Sequence, residues 1–110
     1  MTRFVVTYRM PDNADDAARF EADYRSTHLP LVARTPGLAR VEISRVTRTV
    51  AGSPAPMLVA VLTFADAAAM SAAMRSEQWA ASGRNLADIG GLELATMFTL
   101  DEPEVVDLGR

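Results

Sequence analysis

The 110-residue chain has no cysteine and no lysine, and it has one histidine and one tryptophan. Without cysteine there is no thiolate nucleophile, disulfide framework, iron–sulfur cluster or cysteine-based zinc site. Without lysine there is no Schiff base and no P-loop cation. All eleven basic residues are arginines, and against fourteen acids they leave a net charge of -3. The basic footprint of a nucleic-acid binder is therefore missing. Arg40, Arg45 and Arg48 cluster, but around Glu42 and without interleaved aromatic rings, which reads as a solvated or ion-paired strand face. No apolar run approaches the roughly 20 residues that span a bilayer, and no signal-peptide core follows Thr2-Arg3, so the expected setting is the cytoplasm, with no membrane partner. Gly-x-Ser-x-Gly, Gly-x-Gly-x-x-Gly and Walker motifs are absent too. No cofactor is expected, and a catalyst built from what remains moves protons.

Hydrophobic residues make up 49% and charged residues 23%, enough for one folded domain without staples. That domain is expected over residues 1–102, with 103–110 as a tail that is ordered only if it docks on something. Phe4 to Tyr8 is β-branched and aromatic and stops at Met10-Pro11-Asp12-Asn13, where a backbone donor is lost and a helix cap is offered. From Asn13 the period changes. Ala17, Phe20 and Tyr24 form a buried stripe, with Asp15–Arg19 and Glu21–Arg25 as exposed i,i+4 pairs. Regular helical bonding is expected to stop at His28-Leu29-Pro30, because a residue before proline avoids the α region. Leu31 to Arg34 adds a turn, and Thr35-Pro36-Gly37 reverses the chain. Leu38 to Thr49 alternates as a half-buried strand and Met57 to Phe64 is nearly all apolar, as in an interior strand. Asp66 caps a helix over Ala67 to Ser76 with Met70, Ala73 and Met74 as its apolar stripe. Glu77 to Ile89 reads as further helical turns broken at Gly83, and Leu92 to Leu100 as a last strand.

The order β-α-β-β-α-β implies a ferredoxin-like α+β sandwich, an antiparallel four-stranded sheet with both helices on one face. The opposite face carries Val5, Thr7, Arg9, Glu42, Ser44, Val59, Val61 and Thr63, too apolar to be left to water. A second copy packed face to face would cover it and leave a polar-studded cavity, so a homodimer with a small-molecule site between the sheets is expected.

His28 is the one side chain that titrates near neutrality. Two roles are open to it: capping the last carbonyls of its helix, or exchanging protons in a largely apolar pocket. No second histidine stands at i+3 or i+4, so a metal site is not indicated. Tyr24 is either a buried ring or a proton donor and orienting partner for His28. Trp79 is either a lid over a pocket or an anchor of a satellite core. Arg9 and Glu42 either bind a polar substrate group, with Thr7 and Ser44 beside them, or pair with each other across strands.

Phe20-x-x-x-Tyr24-x-x-x-His28-x-Pro30-Leu31, Pro11 after strand one, the Gly52-Ser53-Pro54-Ala55-Pro56 loop and Phe64 before the Asp66 cap together resemble the EthD family, named for ethyl tert-butyl ether degradation. The resemblance runs from about Phe4 to Thr99 and is most specific over Tyr24 to Leu31; Met10 departs from the aromatic that many relatives carry. It implies a dimeric α/β-barrel with His28 at the cavity. Relatives in the wider superfamily include lactone isomerases, polyketide cyclases and dehydratases, and oxygenases without metal or flavin. The expected activity is proton transfer by His28 and Tyr24 on a small aromatic, lactone or polyketide-like compound. The alternative is an accessory protein that binds such a molecule without turning it over.

Overall fold

The computed structural model describes residues 1–110. Strand β1 (Thr2–Arg9) leads to helix α1 (Ala14–Asp23), which passes through a single wide π turn (Tyr24–His28) into the short α2 (Leu29–Val32). Strands β2 (Leu38–Arg45) and β3 (Pro56–Phe64) follow, then helices α3 (Ala67–Met74) and α4 (Glu77–Asp88), and strand β4 (Ala95–Leu100). The sheet is antiparallel in the order β2-β3-β1-β4, as the ferredoxin-like reading requires.

The register sorts the side chains. Phe4, Val6 and Tyr8 on β1, and Leu58, Ala60, Leu62 and Phe64 on β3, face the helices and are buried with Phe20, Tyr24, Ala73 and Leu86. Val5, paired with Val61 and Phe98, and Thr7, paired with Val59 and Thr96, face the other way. No helix covers that second face.

The helix ends follow local chemistry. The Asn13 side chain accepts from the Asp15 amide, Asp66 from Ala69 and Ser76 from Trp79, so each of the three longer helices starts on a polar cap. Ser76 caps α4, which is why α3 stops at Met74 rather than at Ser76. Helix α4 is regular from Glu77 to Asp88 and is not broken at Gly83; a lone glycine weakens a helix by about 1 kcal/mol, less than the packing of this face returns. Met74 is exposed and leaves the expected stripe, while Met70 and Ala73 keep it. Strand β2 ends at Arg45, short of Thr49. Arg19 pairs with Asp16, not Asp15, whose amide is bound to Asn13.

The main difference from the sequence reading lies at Pro30. The helix does not end before it. Pro30 has no N–H, so the ladder widens: the Leu29 amide donates to the Tyr24 carbonyl five residues back, and α2 continues with proline in its first turn. That π turn places Tyr24 and His28 together on the buried side.

Candidate functional site

Phe20, Tyr24 and His28 form a stepped ring stack, with centroids 5.7 Å apart for Phe20–Tyr24 and 5.2 Å for Tyr24–His28. Tyr8, on the helix-facing side of β1, stands 5.2 Å from both Phe20 and Tyr24. All four are buried, His28 at 5% exposure. They lead to a cavity of about 250 Å³ between the sheet and the helices. Its floor is Phe4, Val6, Tyr8, Ala60 and Leu62; Tyr24, His28 and Val32 form one wall, and Trp79, Ser82, Gly83 and Leu86 of α4 the other. Trp79 is held edge-on to Phe4 with centroids 5.0 Å apart. Leu92 and Met97, both half exposed, stand at the mouth.

The lining is mainly hydrocarbon, so its few polar groups decide what it can do. Burial holds the His28 imidazole below its ordinary proton affinity, against the opposing pull of Asn85 and the Ser82 carbonyl. The ring is therefore a neutral base at neutral pH. Burial raises the Tyr24 and Tyr8 phenols, with the Tyr24 phenol adding to the rise at Tyr8, so both remain proton donors. Thr35 also lines the cavity, and its Oγ1 is buried without a hydrogen-bond partner in the protein. His28 Nδ1 lies 3.2 Å from Asn85 Oδ1 across 57 residues of sequence. No three His, Asp or Glu side chains converge as metal ligands.

Of the residues singled out in the sequence, the structure brings His28, Tyr24 and Trp79 to one cavity. Thr7, Arg9, Glu42 and Ser44 lie on the other side of the sheet. The cavity lined by His28, Tyr24 and Trp79 is on the helix side of the sheet. Thr7 and Arg9 border a more open pocket of about 280 Å³ with Pro54, Pro56 and Thr96. Arg9 and Glu42 do not pair with each other, since β1 and β2 are separated by β3; Glu42 meets Arg40 at 3.3 Å. Arg45 meets Glu21 at 2.7 Å. Tyr8, Thr35, Ser82 and Asn85 were missed by the sequence reading. Only Tyr8 left a trace there, through its alternation with Phe4 and Val6; the others acquire a role from contacts between distant segments.

No protein-family model and no curated protein matches the sequence. Among solved structures, an EthD family protein from Bacillus halodurans C-125 superposes with a TM-score of 0.82 at 24% identity, covering 94% of this chain and 99% of that one. A dimeric ferredoxin-like protein from Jannaschia sp. CCS1 gives 0.64 at 16% identity over 93% and 100%. SnoaB, a cofactor-independent oxygenase from Streptomyces nogalater, gives 0.60 at 18% identity over 99% and 97%. At these identities the shared property is the fold. The chain accordingly has the ferredoxin-like architecture of the EthD structure, with its cavity walled by Tyr24 and His28 from the stretch that carries the sequence resemblance.

Proposed function

We propose that the protein is an EthD-like, cofactor-independent catalyst of proton transfer on a small aromatic, lactone or polyketide-like molecule bound between the sheet and the helices. The observation that carries this reading is a buried, neutral imidazole at the wall of an apolar cavity, with a protonated phenol at 5.2 Å between ring centroids. His28 serves as the base, and Tyr24 donates to the oxygen that gains charge. The apolar walls exclude water and strengthen both interactions. That the same fold carries a cofactor-independent oxygenase supports small-molecule chemistry of this kind. The unpartnered Thr35 hydroxyl gives the ligand a further polar anchor.

The assembly is a homodimer through the open sheet face, in keeping with the dimeric neighbours of the same fold. Thr7, Arg9, Glu42 and Ser44 then belong to the space between the sheets rather than to the reacting centre.

The test is turnover of a panel of lactones, phenols and cyclic ketones. His28→Ala should lower kcat by about 10² to 10⁴-fold, the usual contribution of positioned proton transfer, with the fold retained by circular dichroism. Full activity of that variant on a confirmed substrate would end the catalytic reading. Tight binding without turnover would favour the second one, an accessory binder, which the largely apolar lining also suits.

A further inference from the structure

We propose that Asn85 is a positioning residue for His28: its amide holds the imidazole proton on Nδ1 and leaves the Nε2 lone pair for the cavity. This rests on the reading of the cavity as the working site. It follows from counting protons along a chain of contacts that begins in the π turn.

Thr27 Oγ1 donates to the Asp23 carbonyl at 2.8 Å. A hydroxyl has one proton, and this one is used. Toward Asn85, 3.3 Å away, the Thr27 oxygen can only accept, so the Asn85 Nδ2 end faces it. The other end of the amide, Oδ1, is thereby turned to His28 Nδ1 at 3.2 Å. An amide oxygen only accepts, so Nδ1 carries the hydrogen. A neutral imidazole has a single N–H, and Nε2 is bare. His28 lines the cavity and Asn85 does not, and the Nδ1 edge is the one held against α4.

The competing arrangement puts the proton on Nε2 and turns the Asn85 amide over. It would set the Asn85 and Thr27 oxygens against each other, or cost the bond from the Thr27 hydroxyl to the Asp23 carbonyl.

A bare Nε2 recognises a hydrogen-bond donor, so the ligand class is narrowed to molecules with an acidic hydroxyl, a phenol or an enol. In the step itself the ligand O–H bond breaks and an Nε2–H bond forms. The products are an imidazolium still bound to Asn85 and an oxyanion that the Tyr24 hydroxyl meets.

With one histidine in the chain, a single imidazole reports the arrangement without assignment. Tag-free protein labelled with ¹⁵N-histidine is examined above neutral pH by two-bond ¹H–¹⁵N correlation. Wild type should show a protonated Nδ1 and a bare Nε2. Asn85→Leu should lose that pattern, and Asn85→Asp, which keeps an acceptor, should restore it. Thr27→Val, an exposed change that leaves the Asn85 amide free to turn, should give a mixture of the two tautomers. A wild-type ring protonated on Nε2, or an Asn85→Leu spectrum unchanged from wild type, overturns the assignment.

p-Cresol and its methyl ether then probe the ligand class. The phenol should move the Nε2 resonance, and the ether should not. Equal responses overturn the donor requirement. If both leave the imidazole untouched while Nδ1 is protonated, the role of Asn85 stands and the reading of the cavity as the working site falls.

Discussion

At the residue scale the decisive fact is that a group with an ordinary pKa near 6.5 is buried and kept neutral. Its folded value is depressed, so as pH falls the unfolded chain takes up the proton first. The stability is fully present above the ordinary value and is lost as pH falls through the lowered folded one. The melting temperature should therefore drop as pH falls below the ordinary imidazole value, and His28→Gln should flatten that part of the curve. Calorimetry across the range checks it; an equally steep slope in the variant would place the titrating group elsewhere. Glu21, held below its usual range by Arg45 and Arg25, acts in the same direction at lower pH, where protonation releases both pairs. The place of His28 beside Tyr24 was legible from the sequence because it stands four residues after it. Asn85 was not, because nothing local distinguishes a half-buried asparagine from one on the exposed face of a helix.

At the element scale, two glycines of the α4 region have opposite meanings. Gly83 lies inside α4 beside the cavity, and a Cβ there would meet nothing within 4 Å. Gly83→Ala should stabilise the protein by up to about 1 kcal/mol through helix propensity alone. Gly91 is buried where the chain leaves α4, and a Cβ there would approach Phe20 Cε1 to 2.8 Å and Leu86 Cγ to 2.9 Å. Gly91→Ala should destabilise by about 1–3 kcal/mol, the usual cost of overpacking. Urea denaturation of the two variants checks both signs, and matching shifts would show that neither environment is as described. The sequence showed Gly83 as a break. Whether a glycine breaks a helix or lies within one depends on what packs over it, and that is a tertiary property.

At the scale of the whole molecule, the smallest dimension is 18 Å, about the depth of one sheet and one helix layer. The uncovered face carries a central apolar row, Val61, Val5 and Phe98, with Phe98 42% exposed, between arginines at positions 3, 9 and 40. If a second copy covers this row, Val61→Asp places a carboxylate within it, beside Val5, and should convert the dimer to monomer at micromolar concentration. Sedimentation of the wild type and the variant decides it; a monomeric wild type would remove the dimer. Beyond Asp101, whose carbonyl accepts from Arg3 at 3.0 Å, residues 103–110 are exposed throughout, with Val105, Val106 and Leu108 at 87%, 70% and 67%. We expect this tail to order further on the partner, and its deletion to weaken the dimer without lowering kcat.

The sequence by itself determined the element order, the face each strand residue takes and the Tyr24–His28 stripe. These follow from periods of two and of about 3.6 residues and from short-range cap and turn chemistry, which need no knowledge of distant segments. Tertiary structure alone decided that the helix would pass through a π turn and run on across Pro30, that α4 would stay whole at Gly83, and that Tyr24, His28 and Trp79 would line a cavity beneath the helices. It also brought Asn85 to His28. These outcomes depend on volumes, on unsatisfied hydrogen bonds and on the meeting of groups 57 residues apart, and spacing along the chain carries none of them.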